Sequence, residues 1–197
     1  DGQSEEEILR RTDIKLPGLH NVENYMTAAA LTRGLITRDD LVEVARTFSG
    51  VPHRIEFVRE LDGVKYYNSS IDSTPTRTEA ALSVFDCRPV FILCGRDKHV
   101  PFDSLARALY DRAGGVVVSG EAMPVIRRAL EAEAARRGSN DLPIAYEDDF
   151  FAAIDRARTL ARPGSAVVLS PSCTSFDRFR NFEERGDAFR EYVKKLV

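Results

Sequence analysis

A chain of 197 residues has room for one full α/β domain and a smaller appendage, and 43% apolar with 30% charged residues is the make-up of an ordinary globular protein. The formal net charge of -3 gives no electrostatic basis for binding nucleic acid or an anionic membrane, since basic residues mostly sit beside acidic ones at helical spacing, as in Arg107/Asp111 and Arg127/Glu131. No apolar run reaches the length of a membrane span, and nothing at the start of these residues resembles a signal peptide.

The chain begins Asp1-Gly2-Gln3-Ser4 without an initiator methionine, which suggests a processed or cut end rather than a natural amino terminus. Glu5 to Arg11 reads as a short helix or a lead-in, and Leu16-Pro17-Gly18-Leu19-His20-Asn21 as a loop punctuated by Pro and Gly. From about Val22 to Arg33 apolar residues recur at helical spacing (Met26, Ala29, Ala30) until Gly34 stops the run. A second helix is expected from Thr37 to Ser49-Gly50, with Asp39 and Asp40 in its first turn and Leu41, Val44 and Phe48 facing inward. Two short helices cannot bury a core alone, so residues 1–50 need a surface to pack against.

After Val51-Pro52 the pattern changes. Arg54 to Leu61 and Val64 to Asn68 form a hairpin with Asp62-Gly63 at its tip. Alternation follows. Helices are predicted over Thr76–Val84, Phe102–Arg112, Glu121–Arg137, Asp148–Leu160 and Phe182–Leu196. Strands are predicted over Pro89–Leu93, Gly115–Ser119, Leu142–Tyr146 and Ala166–Leu169. Near-continuous apolar strands such as Val90-Phe91-Ile92-Leu93 suit a parallel sheet covered on both faces. The expected fold is α/β and Rossmann-like. It has a mostly parallel sheet of about six strands, helices on both faces, one antiparallel hairpin strand and a short helical N-terminal remnant. The expected boundary falls between 1–50 and 51–197.

Ligands of open α/β sheets bind beyond the carboxyl ends of the strands, and three loops there are rich in polar side chains. Asn68-Ser69-Ser70-Ile71-Asp72-Ser73-Thr74-Pro75-Thr76 leads into a helix, with Thr74 as N-cap and Pro75 at the first position. Its hydroxyls either cap the loop or, with free N–H groups, attract phosphate or carboxylate. Cys94-Gly95-Arg96-Asp97-Lys98-His99 is either a solvated charged turn or a holder of the Lys98 ammonium as a fixed cation for an anionic substrate. Ser170-Pro171-Ser172-Cys173-Thr174-Ser175-Phe176-Asp177 again ends a strand in hydroxyls, and Ser175 is a candidate donor to a carboxylate.

No histidine is placed to make these serines nucleophiles, and His20, His53 and His99 lack metal-ligand spacing. Neither a P-loop nor a Gly-rich dinucleotide fingerprint occurs, so any nucleotide-phosphate cradle is expected outside this chain. Cys87, Cys94 and Cys173, odd in number, read as buried free thiols of a reducing compartment, so a cytoplasmic location is expected.

Taken together, these segments resemble the Mur ligases. Leu19-His20-Asn21-Val22-Glu23-Asn24 is similar to the motif near the end of their central ATPase domain, and Gly50-Val51-Pro52-His53-Arg54-Ile55-Glu56 to the linker into their C-terminal domain. Cys94-Gly95-Arg96-Asp97-Lys98 resembles the Gly-Gly-x-Asp-Lys loop of the D-glutamate-adding branch. The same branch's closing signature is similar to Leu169–Asp177 with Phe179, Asn181–Gly186 and Phe189.

The resemblance implies an ADP-forming amide ligase of peptidoglycan synthesis. ATP would phosphorylate UDP-N-acetylmuramoyl-L-alanine, and the amine of D-glutamate would attack the acyl phosphate. It further implies that Asn21, Asn24, Arg54 and Ser69 contact ATP. Lys98, Ser73, Ser175 and the Phe182 backbone would hold the D-glutamate carboxylates, and Mg2+ would be bound mainly outside this chain. Residues 1–50 would be the helical end of the ATPase domain, with the N-terminal domain and most of the central domain missing. One departure is clear: many relatives read Asn-Asp-Ser-Lys where this chain has Asn68-Ser69-Ser70-Ile71, and Asp72 is the candidate replacement for the acid. Two other readings are another ADP-forming ligase of the Mur or folylpolyglutamate type, and a stand-alone flavodoxin-like binding module.

Overall fold

A computed structural model describes residues 7–16 and 18–197, and the chain divides into two compact units, Asp1–Gly50 and Val51–Val197. The first unit holds a 3₁₀ turn at Arg11–Asp13 and two helices, α1 (Leu19–Leu31) and α2 (Arg38–Thr47). Of the expected helix or lead-in at Glu5–Arg11, the first two residues lie outside the described residues, and 7–10 have no regular structure. Pro17 of the expected loop also lies outside. Helix α1 starts three residues before the expected Val22, directly after Gly18 at φ 92, so Asn21 lies on a helix rather than in a loop.

Helix α2 opens with a reciprocal cap: Asp40 N–H donates to the Thr37 hydroxyl (3.2 Å) and Thr37 N–H to the Asp40 carboxylate (2.8 Å). Tyr25, Leu41 and Ala45 form the small core of this unit. The expectation that Val44 and Phe48 face inward is corrected: they are 51% and 42% exposed. Leu41 and Ala45, four residues apart, fill the narrow seam against Tyr25, and Phe48 has already left the helix with extended φ and ψ.

The second unit carries the sheet. Its strands are β1 (Glu56–Leu61), β2 (Val64–Asn68), β3 (Val90–Cys94), β4 (Gly115–Ser119), β5 (Ile144–Tyr146) and β6 (Ala166–Ser172). Its helices are α3 (Pro75–Leu82), α4 (Asp103–Arg112), α5 (Met123–Arg137), α6 (Phe150–Leu160) and α7 (Phe182–Lys195). The spatial order is β1-β2-β6-β3-β4-β5, parallel throughout except that β1 runs antiparallel to β2. This is the expected Rossmann-like fold of six strands with helices on both faces. The Asp62-Gly63 tip has φ 54 and 74, the paired left-handed conformation of a two-residue hairpin turn.

Strand alternation sorts the core into two layers. Phe91 and Leu93 of β3 pack with Leu82, Leu105, Leu109, Ile126 and Leu130 from α3, α4 and α5. Val90, Ile92 and Cys94 pack on the other face with Phe150, Ile154, Phe189 and Val193 from α6 and α7. Burying each large apolar side chain contributes about 1.5–3 kcal/mol, so a central strand buried on both faces anchors the sheet. Cys94 and Cys173 are buried free thiols and Cys87 is half-buried; burial pushes Cys94 up to about 11 and Cys173 up to about 12.

Strand β6 runs three residues beyond the expected Leu169. Pro171 has no N–H to donate, and the pairing with β3 slips there, from Ile92↔Leu169 to Cys94↔Ser172. The slip lets β6 end in the left-handed Ser172 (φ 63), which aims the following loop along the rim. Chain order reverses beside β3: β4 and β5 step outward on one side, while β6 returns to the other, between β2 and β3. A crevice at the carboxyl ends is the topological consequence.

Candidate functional site

The loops after β2, β3 and β6 are stitched together at this rim. After β2, Ser69 N–H donates to Leu169 O (2.8 Å), and the Ser69 hydroxyl accepts from Ile55 N–H (3.1 Å). The Ser70 hydroxyl donates to the carbonyl of Phe182 at the start of α7 (2.8 Å). Asp72, the candidate replacement acid, points inward: it is 7% exposed, its carboxylate accepts from the Ser170 hydroxyl (2.8 Å), and its carbonyl accepts from Ser172 N–H (2.8 Å). Burial raises its pKa, against the opposing hydrogen bonds from Ser69 and Ser170. The Ser170 and Ser172 hydroxyls also reach Thr78 of α3, each at 2.8 Å. Thr74 stands at the expected N-cap position, but its hydroxyl meets Thr76 (3.2 Å) rather than a helix N–H.

After β3, Gly95 takes φ 120, and a β-carbon there would lie 2.0 Å from the carbonyl oxygen of Thr174. That close approach permits the backbone bridge between the two loops: Arg96 N–H donates to Thr174 O (2.9 Å) and Thr174 N–H to Arg96 O (3.2 Å). Asp97 accepts from His99 N–H (2.9 Å) and so folds the turn that carries Lys98. Lys98 is exposed, and no carboxylate among the described residues pairs with it. Its ammonium donates to the Ser73 hydroxyl at 3.4 Å. An unpaired cation beside a half-buried hydroxyl is suited to gripping a carboxylate.

Ser175 is 3% exposed, and its carbonyl accepts from Arg178 N–H (3.1 Å) and Phe179 N–H (2.8 Å). Phe182 is the first residue of α7, where leading N–H groups lack helical acceptors, and the Asn181 side chain caps Glu184 N–H (2.8 Å). The structure therefore brings Lys98 against Ser73. It ties Phe182 to the same loop through Ser70, and the Ser175 loop to the Lys98 loop through the Arg96–Thr174 bridge.

The residues expected at ATP are distributed differently. Arg54 is exposed in the linker before β1, its N–H donating to Val51 O (3.2 Å), while Ser69 is fully buried behind that linker. Asn21 and Asn24 lie one turn apart on α1 of the first unit, and the Asn24 amide donates to the Asn21 side-chain oxygen (3.4 Å). Among the described residues no group of three or more His, Cys, Asp or Glu gathers to hold a metal ion.

Two elements of the rim were not singled out from the sequence. Asn68 donates to Glu56 (3.0 Å) and Gly186 O (3.3 Å) and contacts the ring of the buried His53 (3.0 Å), tying the linker to β2 and α7. Arg185 is 1% exposed and bonds inside the sheet rim. A signal for it existed: it lies four and eight residues before Phe189 and Val193, on the buried stripe of α7 where an apolar residue belongs.

Comparison with known proteins bears on this rim. A family model described as "Mur ligase, glutamate ligase domain" matches residues 53–173. The UDP-N-acetylmuramoylalanine--D-glutamate ligase of Acetivibrio thermocellus is 43% identical over 197 residues, covering 100% of this chain and 42% of its own length. The protein of the same description from Clostridium novyi is 46% identical over 190 residues, covering 96% and 41%. The chain thus spans about two fifths of the length of the curated relatives it matches. Among solved structures, a Mycobacterium tuberculosis folylpolyglutamate synthase complexed with ADP and AMPPCP superposes at TM-score 0.62 and 16% identity, over 93% of this chain and 42% of its own. MurF from Acinetobacter baumannii gives 0.60 and 18%, over 92% and 39%. At such identities the structural likeness is one of fold. Among the described residues no helix is long and apolar enough to cross a membrane.

Proposed function

Because the chain belongs to the Mur ligase family through its glutamate ligase domain, we propose that it is the amino-acid-binding part of a cytoplasmic ATP-dependent ligase. That ligase joins D-glutamate to UDP-N-acetylmuramoyl-L-alanine in peptidoglycan synthesis. In the reaction so assigned, a phosphoryl group passes from ATP to the carboxylate of UDP-N-acetylmuramoyl-L-alanine, leaving ADP. The amine of D-glutamate then attacks the acyl phosphate, the new amide bond forms, and phosphate departs.

The observation that carries this reading is the meeting of Lys98 and Ser73 at 3.4 Å, with the Lys98 charge unpaired by carboxylate among the described residues. D-glutamate presents two carboxylates, and a cation with hydroxyl and helix-start N–H donors matches one of them. Lys98 supplies the charge, Ser73 a hydroxyl, Phe182 a backbone N–H, and Ser175 the loop that completes the rim. Arg54, Asn21 and Asn24 are assigned to ATP. Ser69 is given a supporting part, since its hydroxyl is engaged by Ile55 N–H. Mg2+ is read as held mainly by residues outside these 197. Residues 1–50 are read as the helical end of an ATPase domain, and the rest of the enzyme lies outside these 197 residues.

The full-length protein carrying Lys98→Ala tests this. D-glutamate KM should rise about 10- to 150-fold, the loss of a charge-assisted contact, while the KM for ATP stays within a few-fold. Equal losses for both substrates would count against the assignment. The 197-residue chain by itself should release no ADP when given ATP, UDP-N-acetylmuramoyl-L-alanine and D-glutamate.

A further inference from the structure

Arg185 is among the largest fully buried side chains of the described residues. Its guanidinium donates to the Ser70 hydroxyl (3.0 Å), the Ser70 carbonyl (2.9 Å), the Cys173 carbonyl (3.2 Å) and the Cys94 carbonyl (3.5 Å). Those acceptors end β2, β6 and β3, the three strands whose loops carry Ser73, Ser175 and Lys98. All of them are uncharged, and no carboxylate among the described residues forms an ion pair with Arg185. A buried charge without a counter-ion is a costly arrangement to keep. A neutral side-chain amide, with two N–H donors, could not reach all four acceptors, so the clamp itself calls for a guanidinium and brings the charge with it.

We propose that Arg185 is a positioning residue of the acid-binding rim: it clamps the ends of β2, β3 and β6 at one centre, and its charge, paired with no carboxylate at ion-pair distance, favours a bound carboxylate on the loops that carry Lys98 and Ser73. The planar fork of the guanidinium is what reaches three strand ends at once. The fit is tight on the Lys98 side, since a β-carbon on Gly95 would stand 3.0 Å from the guanidinium. Arg185 touches no substrate in this scheme. It acts through the backbone it holds and through its field, which is weakly screened at a buried position.

The D-glutamate part of this inference rests on the ligase reading; the clamp does not. In the full-length protein, Arg185→Met is expected to raise D-glutamate KM about 10- to 100-fold with ATP KM within about threefold, and Arg185→Lys, which keeps the charge, to recover most of that loss. If Arg185→Met does not fold, Arg185→Lys and Ser70→Ala decide, the latter expected to raise D-glutamate KM alone by about threefold to tenfold. Parallel losses for both substrates, Lys no better than Met, or an unchanged D-glutamate KM would overturn the proposal. Absence of D-glutamate-dependent ADP release in the parent protein would instead overturn the ligase reading. Hydrogen exchange on the 197-residue chain then decides the clamp: amides 94–98 and 173–175 should exchange at least about tenfold faster in Arg185→Lys, and unchanged protection would refute it.

Discussion

Gly95→Ala isolates the approach of the two loops on which the rim depends. The added β-carbon would meet the Thr174 carbonyl oxygen at 2.0 Å and the Cys173 β-carbon at 3.1 Å, and both neighbours belong to a segment bonded into the sheet. Backbone cannot swing aside as a side-chain tip does. The Arg96–Thr174 bridge must open, losing two hydrogen bonds worth about 0.5–1.5 kcal/mol each. A residue bearing a β-carbon at φ 120 carries about 1–3 kcal/mol of strain as well. Together the expected cost is about 2–6 kcal/mol. Gly138→Ala is the matched control: it is also left-handed at φ 66, but a β-carbon there meets nothing within 4 Å, so it should cost only about 1 kcal/mol. Urea denaturation of both variants followed by far-UV circular dichroism measures the difference. Equal midpoints for the two would refute the claim that close approach, rather than positive φ alone, requires glycine at 95.

Two further outcomes are expected. Asp72 has its pKa raised above the ordinary 3.8 by burial, so its contribution to stability is full below 3.8 and is lost as pH rises through the folded value. Asp72→Asn, which cannot lose a proton, should therefore gain stability relative to the parent between about pH 3.5 and pH 7, and a constant difference across that range would contradict the assignment. The Asp149 side chain caps α6 by accepting from Phe151 N–H (2.8 Å) and Ala152 N–H (3.0 Å), bonds that hold its carboxyl below the usual range. Asp149→Ala should cost about 1 kcal/mol and Asp149→Asn much less, as judged by urea midpoints; equal midpoints would remove the cap from the account.

Most of the sheet was legible because its determinants are local. Val90-Phe91-Ile92-Leu93 declares a strand buried on both faces, and Asp62-Gly63 declares its turn by the left-handed φ both residues tolerate. Readings failed where tertiary contact decides. Val44 and Phe48 belong to a helical stripe by spacing, yet the seam in the first unit is only as wide as Leu41 and Ala45. The extension of β6 through Pro171 follows from a slip in pairing with β3, which no local propensity records. Lys98 and Ser73 lie 25 residues apart, and it is the resemblance, not local pattern, that groups them in the sequence; the order of the parallel strands puts them in contact. Arg185 could be noticed by its place on the buried stripe of α7, but what holds it there became legible only with its three backbone acceptors.

The hydroxyls of this rim also show why richness in serine is a poor guide to a binding site. Ser69, Ser70, Ser170 and Ser172 are buried, and each spends its side chain on the protein itself: on Ile55, Phe182, Asp72 and Thr78 respectively. Such a group offered to a ligand would have to break a bond worth about as much as the one it gained. Ser73 differs, being half-buried with its hydroxyl turned to the Lys98 ammonium, a partner that a carboxylate can join rather than displace. Selectivity for an acid at this rim therefore follows from what the internal bonds leave unspent. The neutral acceptors are consumed in holding strand ends together, and the positive charges of Lys98 and Arg185 remain without a carboxylate partner among the described residues.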